Sequence, residues 1–295
     1  MDNQGYQRQV ESLADAYLSF PSVVGIETLA LCNAACSFCP YPTLDRKGDL
    51  MPDSLIAKIL DDIGTISVRP PFRINLSRVN EPFLDPRIFD ISLDINRRFH
   101  EAELVFFSNG TPLNERNLLR LARVRRIAFL NVSMNDHRRD EYERVMRLPY
   151  DRTVKRLDLL HEMKASKVLQ FPIILSRVGD GTSRDVEFKE WAKLRYPEFE
   201  PVVTIRGDWI GAVSMPMGIG AAPDVGCTQW FKVHFLADGR SPFCCMDSDA
   251  RWGTGDAKTC HAVEEVYNAP ARMELRTRQV TRLSVDICRS CPQMV

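Results

Sequence analysis

From about residue 23 to residue 207 the chain alternates short apolar runs with longer amphipathic ones. The apolar runs are VVGIETLA (23–30), FRINLS (72–77), ELVFFS (103–108), IAFLNVS (127–133), LQFPIIL (169–175) and PVVTIR (201–206). They are short, rich in β-branched and aromatic residues and bounded by breakers, which predicts strands. Between them, 53–64, 86–99, 113–122, 152–166 and 184–195 are read as helices, with Pro52, Pro71, Gly110, Pro149 and Gly179 at the joints. Strand–helix alternation predicts βα units on a parallel sheet with right-handed crossovers. Six units cannot complete an eight-fold barrel, so the expected fold is α/β, a partial (β/α)6 barrel over 1–209. In such sheets chemistry collects at the carboxyl ends of the strands.

After residue 209 the pattern changes. Residues 210–226 are rich in small residues and lack periodicity, as a connector would. WFKVHFLADGRSPFCCMD (230–247) carries an Asp-Gly turn signal and predicts a β-hairpin. A helix is expected over 262–280, interrupted at Pro270. The second domain is therefore expected to be a small hairpin and helix unit over 210–295. At the other end, the first twenty residues form a polar, amphipathic helix pattern rather than a signal peptide.

Composition narrows the function classes. The chain has 39 basic and 39 acidic residues and a formal charge of zero, so no nucleic-acid or membrane electrostatic footprint is expected. No run of about 18 apolar residues predicts a membrane span. Without an export signal the expected compartment is the cytoplasm, where the nine cysteines stay reduced and structural disulfides are not expected. Metal or redox chemistry is the better use for them.

Three of the nine sit in CNAACSFCP (32–40), just after the first predicted strand. Zinc held by Cys32, Cys36 and Cys39 would need a fourth ligand, and none of the five histidines stands at finger-like spacing. An iron–sulfur cubane on three thiolates would instead leave one iron open to a small molecule. The run Cys32-x3-Cys36-Ser37-Phe38-Cys39 resembles the signature of the radical S-adenosylmethionine (SAM) superfamily. That resemblance implies one [4Fe–4S] cluster on Cys32, Cys36 and Cys39, with SAM as cofactor and Phe38 beside it. The segment RVNEP after the second strand resembles the family's GGEP-like segment without its glycines, which makes Glu81 the ligand of the SAM amine. By the same resemblance Ser108, Asn109 and Ser133 at the third and fourth strand ends become SAM contacts, and Arg177 after the fifth a partner for the SAM carboxylate.

The remaining cysteines extend the resemblance over nearly the whole chain. Cys227 and Cys244 enclose a C-x11-G-x4-C pattern around Gly239, and Cys288-x2-Cys291 follows. The arrangement resembles the family's smaller, twitch-type auxiliary domain, implying a second [4Fe–4S] cluster on these four; a zinc knuckle is the physical alternative. Cys245 and Cys260 are left over. On an extended segment neighbouring side chains point to opposite faces, so Cys245 can face away from whatever Cys244 binds. Cys260 is read as an inert loop residue.

Three outcomes of a radical reaction fit these features. The resemblance is to family members that epimerise neomycin-type aminoglycosides, where a 5′-deoxyadenosyl radical removes hydrogen and a thiol, here Cys245, returns one from the opposite face. It extends next to members that dehydrogenate an aminocyclitol in butirosin biosynthesis, and then to peptide maturases. An aminoglycoside or aminocyclitol substrate is expected to meet Arg206, Asp208, Asp247 and Asp249, whose carboxylates would suit a polycation. A flavodoxin- or ferredoxin-type protein is the expected electron donor.

Overall fold

The computed structural model describes residues 3–204, 207–214, 222, 224–277, 280–289 and 291. Seven parallel strands form its centre: β1 (Val23–Ile26), β2 (Phe72–Asn75), β3 (Ala102–Ser108), β4 (Ile127–Ser133), β5 (Ile173–Val178), β6 (Glu200–Thr204) and β7 (Lys232–Phe235). Their order is β6-β5-β4-β3-β2-β1-β7, and among the described residues no pairing joins β6 to β7, so the sheet is open. The architecture is the α/β partial barrel that the alternation predicts.

Helices return the chain between the strands: α2 (Asp53–Thr65), α3 (Ile88–Arg98), α4 (Glu115–Leu121), α5 (Arg139–Met146), α6 (Tyr150–Ala165) and α7 (Ser183–Arg195), preceded by α1 (Asn3–Tyr17). Alternate strand residues such as Val24, Ile26, Phe72, Ile74, Leu104 and Phe106 meet Leu55, Ile59 and Ile63 of α2 and their counterparts in one core. Each such buried side chain contributes about 1.5–3 kcal/mol. The other strand residues face the concave side, where polar and half-buried groups collect: Arg73 and Asn75 on β2, Asn131 and Ser133 on β4, Lys232 and His234 on β7.

One expectation is corrected, and one helix was not foreseen. The predicted hairpin over 230–247 is not one. Its first arm is β7, which pairs in parallel with β1 from Val23↔Lys232 to Ile26↔Phe235. Two hydrogen bonds close the Asp-Gly turn, Leu236 N–H to the Arg240 carbonyl at 2.9 Å and Gly239 N–H to the Leu236 carbonyl at 2.8 Å, and among the described residues no strand pairing continues them. The near-continuous apolar run of β1 explains this, because such a strand needs a neighbour on each side. The second arm, β8 (Arg240–Ser241), pairs instead with β9 (Gly255–Asp256). The sheet therefore takes in residues on both sides of 209. The other miss is α5: in RDEYERVM only Tyr142 and Met146 are buried, too thin an apolar stripe to read as a helix.

Beyond β9, Pro270 does split the predicted terminal helix. A π-helical turn, Ala262–Tyr267, precedes α8 (Pro270–Thr277). The N-terminal α1 packs Tyr6 and Val10 against Cys227, Trp230 and Phe231, a second apolar cluster apart from the main core.

Candidate radical site and auxiliary thiol cavity

The loop between β1 and α2 presents Cys32, Cys36 and Cys39, all half-buried. Its backbone is anchored at Ser37 and Phe38, between the second and third cysteines. Ser37 N–H donates to the Val145 carbonyl at 2.9 Å, while Cys36 Sγ rests 3.5 Å from Met146 Sδ, so α5 forms the loop's floor. The Phe38 carbonyl accepts from Trp209 Nε1 at 3.0 Å, a tie that nothing in the sequence pattern signalled. Burial raises the thiol pKa values, to about 12 for Cys32 and about 11 for Cys39, and Cys36 moves the same way. Thiols so placed give up their protons when a metal offers compensating charge.

Glu81 lies beyond β2 with 1% of its surface exposed. Its carboxylate accepts from Ser108 Oγ at 2.9 Å, Asn109 N–H at 2.6 Å and Phe83 N–H at 3.3 Å. Burial nevertheless dominates and lifts its pKa to about 7. The Asn109 side chain continues the network, donating from Nδ2 to Asn33 Oδ1 at 2.8 Å and approaching Cys32 Sγ at 3.9 Å. Two predicted SAM contacts thus order the predicted amine ligand and join it to the first cysteine. Ser133 stands at the half-buried end of β4. Arg177 is engaged elsewhere: Nε donates to Asp185 at 2.8 Å, Nη2 to Asp180 at 2.7 Å and Nη1 to Asp136 at 3.0 Å. With three carboxylate partners this guanidinium ties β5 to the loops on either side of it.

Four of the late cysteines meet. Cys227, Cys244, Cys288 and Cys291 line one narrow cavity walled by Trp230 and Phe243. Buried Arg282 holds the two segments together, donating from Nε to the Gly226 carbonyl at 3.1 Å and from Nη1 to the Cys291 carbonyl at 3.5 Å. Desolvation raises the Cys244 and Cys288 thiols, Cys288 to about 12. Both donor sets are all sulfur, which suits iron or zinc. Among the described residues no three such side chains stand where they could hold a single metal ion.

Cys245 does not line that cavity. Burial raises its thiol, Lys232 and Arg78 partly oppose that rise, and Cys227 and Cys291 of the auxiliary set, also within electrostatic reach, add to it. Cys260 is half-buried, its carbonyl accepting from Lys58 Nζ at 2.9 Å.

The predicted substrate contacts are otherwise employed. Arg206 lies outside the described residues. Asp208 accepts from the Ile210 and Gly211 N–H groups of its own turn at 3.0 and 3.1 Å. Asp247 is 1% exposed and accepts from the N–H groups of Phe243 at 3.0 Å and Arg251 at 2.8 Å. Asp249 pairs at 2.7 Å with Arg46, which also grips Glu27 bidentately at 2.6 and 3.0 Å. Each of these three carboxylates thus serves a loop or an ion pair of the protein itself. Sequence reading missed Arg46, whose link from the cysteine loop to β1 and the 248–249 turn spans about two hundred residues and leaves no local signal.

A comparison with protein families matches residues 26–184 to the one described as the Radical SAM superfamily, more than half of the chain. The chain belongs to the radical SAM superfamily. Membership implies SAM and a [4Fe–4S] cluster, which when bound supply the radical that removes hydrogen from carbon. None of the curated protein sequences matches the chain. Among solved structures, BtrN in complex with AdoMet and 2-DOIA is similar at 15% identity and TM-score 0.62, over 93% of this chain and 94% of that one. Streptococcus suis SuiB bound to precursor peptide SuiA is similar at 13% identity and TM-score 0.69, over 98% of this chain and 73% of that one. Native anSMEcpe with bound AdoMet is similar at 12% identity and TM-score 0.58, over 92% and 88%. At these identities the likeness is one of fold. No helix among the described residues is long and apolar enough to cross a membrane.

Proposed function

We propose that this radical SAM enzyme is a C–H epimerase of a polyhydroxylated small molecule, with Cys245 as hydrogen donor. In this reading Cys32, Cys36 and Cys39 hold the first cluster, Glu81 receives the SAM amine, and Cys227, Cys244, Cys288 and Cys291 hold a second. The observation that carries it is the separation of two adjacent thiols. Cys244 lines the four-cysteine cavity and Cys245 does not, although its thiol lies within electrostatic reach of Cys227 and Cys291 as well as of Lys232 and Arg78. A thiol outside both ligand sets is what hydrogen return to carbon requires. The Cys245 S–H bond breaks and a C–H bond forms on the face opposite the one that lost hydrogen. One electron and one proton, the electron from a flavodoxin- or ferredoxin-type donor, then return the sulfur radical to the thiol.

Dehydrogenation is the second reading. BtrN, whose structure holds AdoMet and 2-DOIA, matches this chain over nearly the full length of both. Anaerobic turnover in D2O separates the two with a panel of aminoglycosides and acidic sugars. Epimerisation gives an inverted product with one deuterium, lost in Cys245→Ala while SAM cleavage continues. A ketone formed equally by wild type and Cys245→Ala would overturn the proposal.

A further inference from the structure

The concave face between the two cysteine sets holds a group that nothing so far employs. His234, on β7, is 5% exposed, and neither ring nitrogen has a hydrogen-bond partner. Its neighbours Val233 and Phe235 enter the helix-covered core, so strand alternation turns its ring to the concave side. Gly25, its register partner on β1, leaves room for it: a Cβ there would collide with His234 Nδ1. A buried donor and acceptor without partners is costly unless something else completes it.

The surroundings say what would. Arg78, Lys232 and Arg272 are the charged groups that act on the ring, and all three are cations. Arg78 Nε is buried without a partner, and its two Nη atoms make only long contacts, 3.4 Å each, to the Cys245 and Asp247 carbonyls. Arg272 spends its donors on the carbonyls of Pro242 and Lys232 and on Thr254 Oγ1. The nearby carboxylates are committed, Glu27 to Arg46 and the Ala237 N–H, Glu103 to Arg73 at 3.5 Å. Cations therefore outnumber free carboxylates on this face, the other anionic partners of Arg78 and Lys232 being the thiols of Cys227, Cys244 and Cys245, and this is opposite to what a polycationic substrate needs.

We infer that His234, Arg78 and Lys232 form the binding site for an anionic group of the substrate, a carboxylate or a phosphate. The inference rests on the concave face being the substrate chamber of the proposed reaction. Two cations and an imidazole N–H supply the charge-assisted donors such a group takes. They lie within electrostatic reach of Cys245, so an anion held there would keep the substrate near the proposed hydrogen donor. An acidic sugar or a sugar phosphate then replaces the aminoglycoside as the substrate class.

Anaerobic equilibrium dialysis tests this on the cluster-loaded, SAM-bound enzyme. The probes are inorganic phosphate, glucuronate, glucose 6-phosphate, glucose and glucosamine. Phosphate should bind at one site, and one of the two acidic sugars should bind at least about tenfold more tightly than glucose, which also says whether the group is carboxylate or phosphate. Arg78→Met, Lys232→Met and His234→Gln should each reduce anion binding by about tenfold with iron content and SAM affinity kept. Glucosamine binding more tightly than both acidic sugars would overturn the site, and that arm needs no variant. Variants that lose SAM affinity but keep anion binding would also overturn it, assigning the cations to the SAM carboxylate. Loss of iron from the auxiliary set in Arg78→Met or Lys232→Met, with anion binding to the wild type unselective, would make them counter-charges of that set. Selective anion binding by an enzyme that never yields 5′-deoxyadenosine would sink the proposed reaction and leave the site standing.

Discussion

Replacing Glu81 with glutamine is the sharpest test of how SAM is held. Burial raises this carboxyl from 4.5 to about 7, so its ionised form is disfavoured in the folded, SAM-free chain by about 3 kcal/mol. The raised value means that stability from this group is full below pH 4.5 and is lost as pH climbs through 7. A SAM amine donating to Glu81 favours the ionised form and recovers part of that loss, so binding below pH 7 must release a proton. The ratio of wild-type to Glu81→Gln affinity should rise about tenfold per pH unit up to 7 and then level off; a ratio cancels the titration of SAM itself. On the plateau, loss of one charge-assisted hydrogen bond of about 2 kcal/mol predicts binding weakened roughly 30-fold. Anaerobic calorimetry from pH 6 to 8.5, in two buffers of different ionisation enthalpy, reads both affinity and proton release. Glutamine also turns an amide N–H toward the Asn109 N–H, which donates at 2.6 Å in the wild type, so iron content must be shown to be intact. A ratio independent of pH, or equal affinities, would refute the reasoning.

The other expectations concern clusters, packing and charge. Alanine at Cys32, Cys36 and Cys39 together should leave about four of about eight irons and abolish SAM cleavage, read by iron analysis and product chromatography; zinc at either set would contradict the assignment. Gly25→Ala should destabilise the fold by forcing its Cβ into His234, and His234→Ala should restore most of the loss, a coupling that a double-mutant cycle of anaerobic thermal melts detects. Arg46→Met leaves buried Glu27 without its bidentate partner and should cost about 3–5 kcal/mol; a melt unchanged from wild type would show that Glu27 finds another donor.

The sequence by itself determined the alternation of strands and helices, and the two cysteine sets. The alternation and the first set are local properties, since apolar runs of strand length carry their own period and Cys32, Cys36 and Cys39 stand within one loop; the second set, on separate segments, rested on the resemblance. The sequence also singled out Glu81, through the resemblance of RVNEP to the family's GGEP-like segment after the second strand. Long-range matters were decided by the tertiary structure. β7 joined the main sheet because β1 needed a second neighbour, a demand that residues 230–247 do not contain. Asp208, Asp247 and Asp249 looked free in sequence and are engaged in structure, since a turn's N–H groups or a distant arginine cannot be read from the acid itself. That Cys244 lines the four-cysteine cavity and Cys245 does not depends on which wall each thiol meets. His234 was invisible for the same reason: only the fold brings it over Gly25, among cations from three segments of the chain and with nothing to bind.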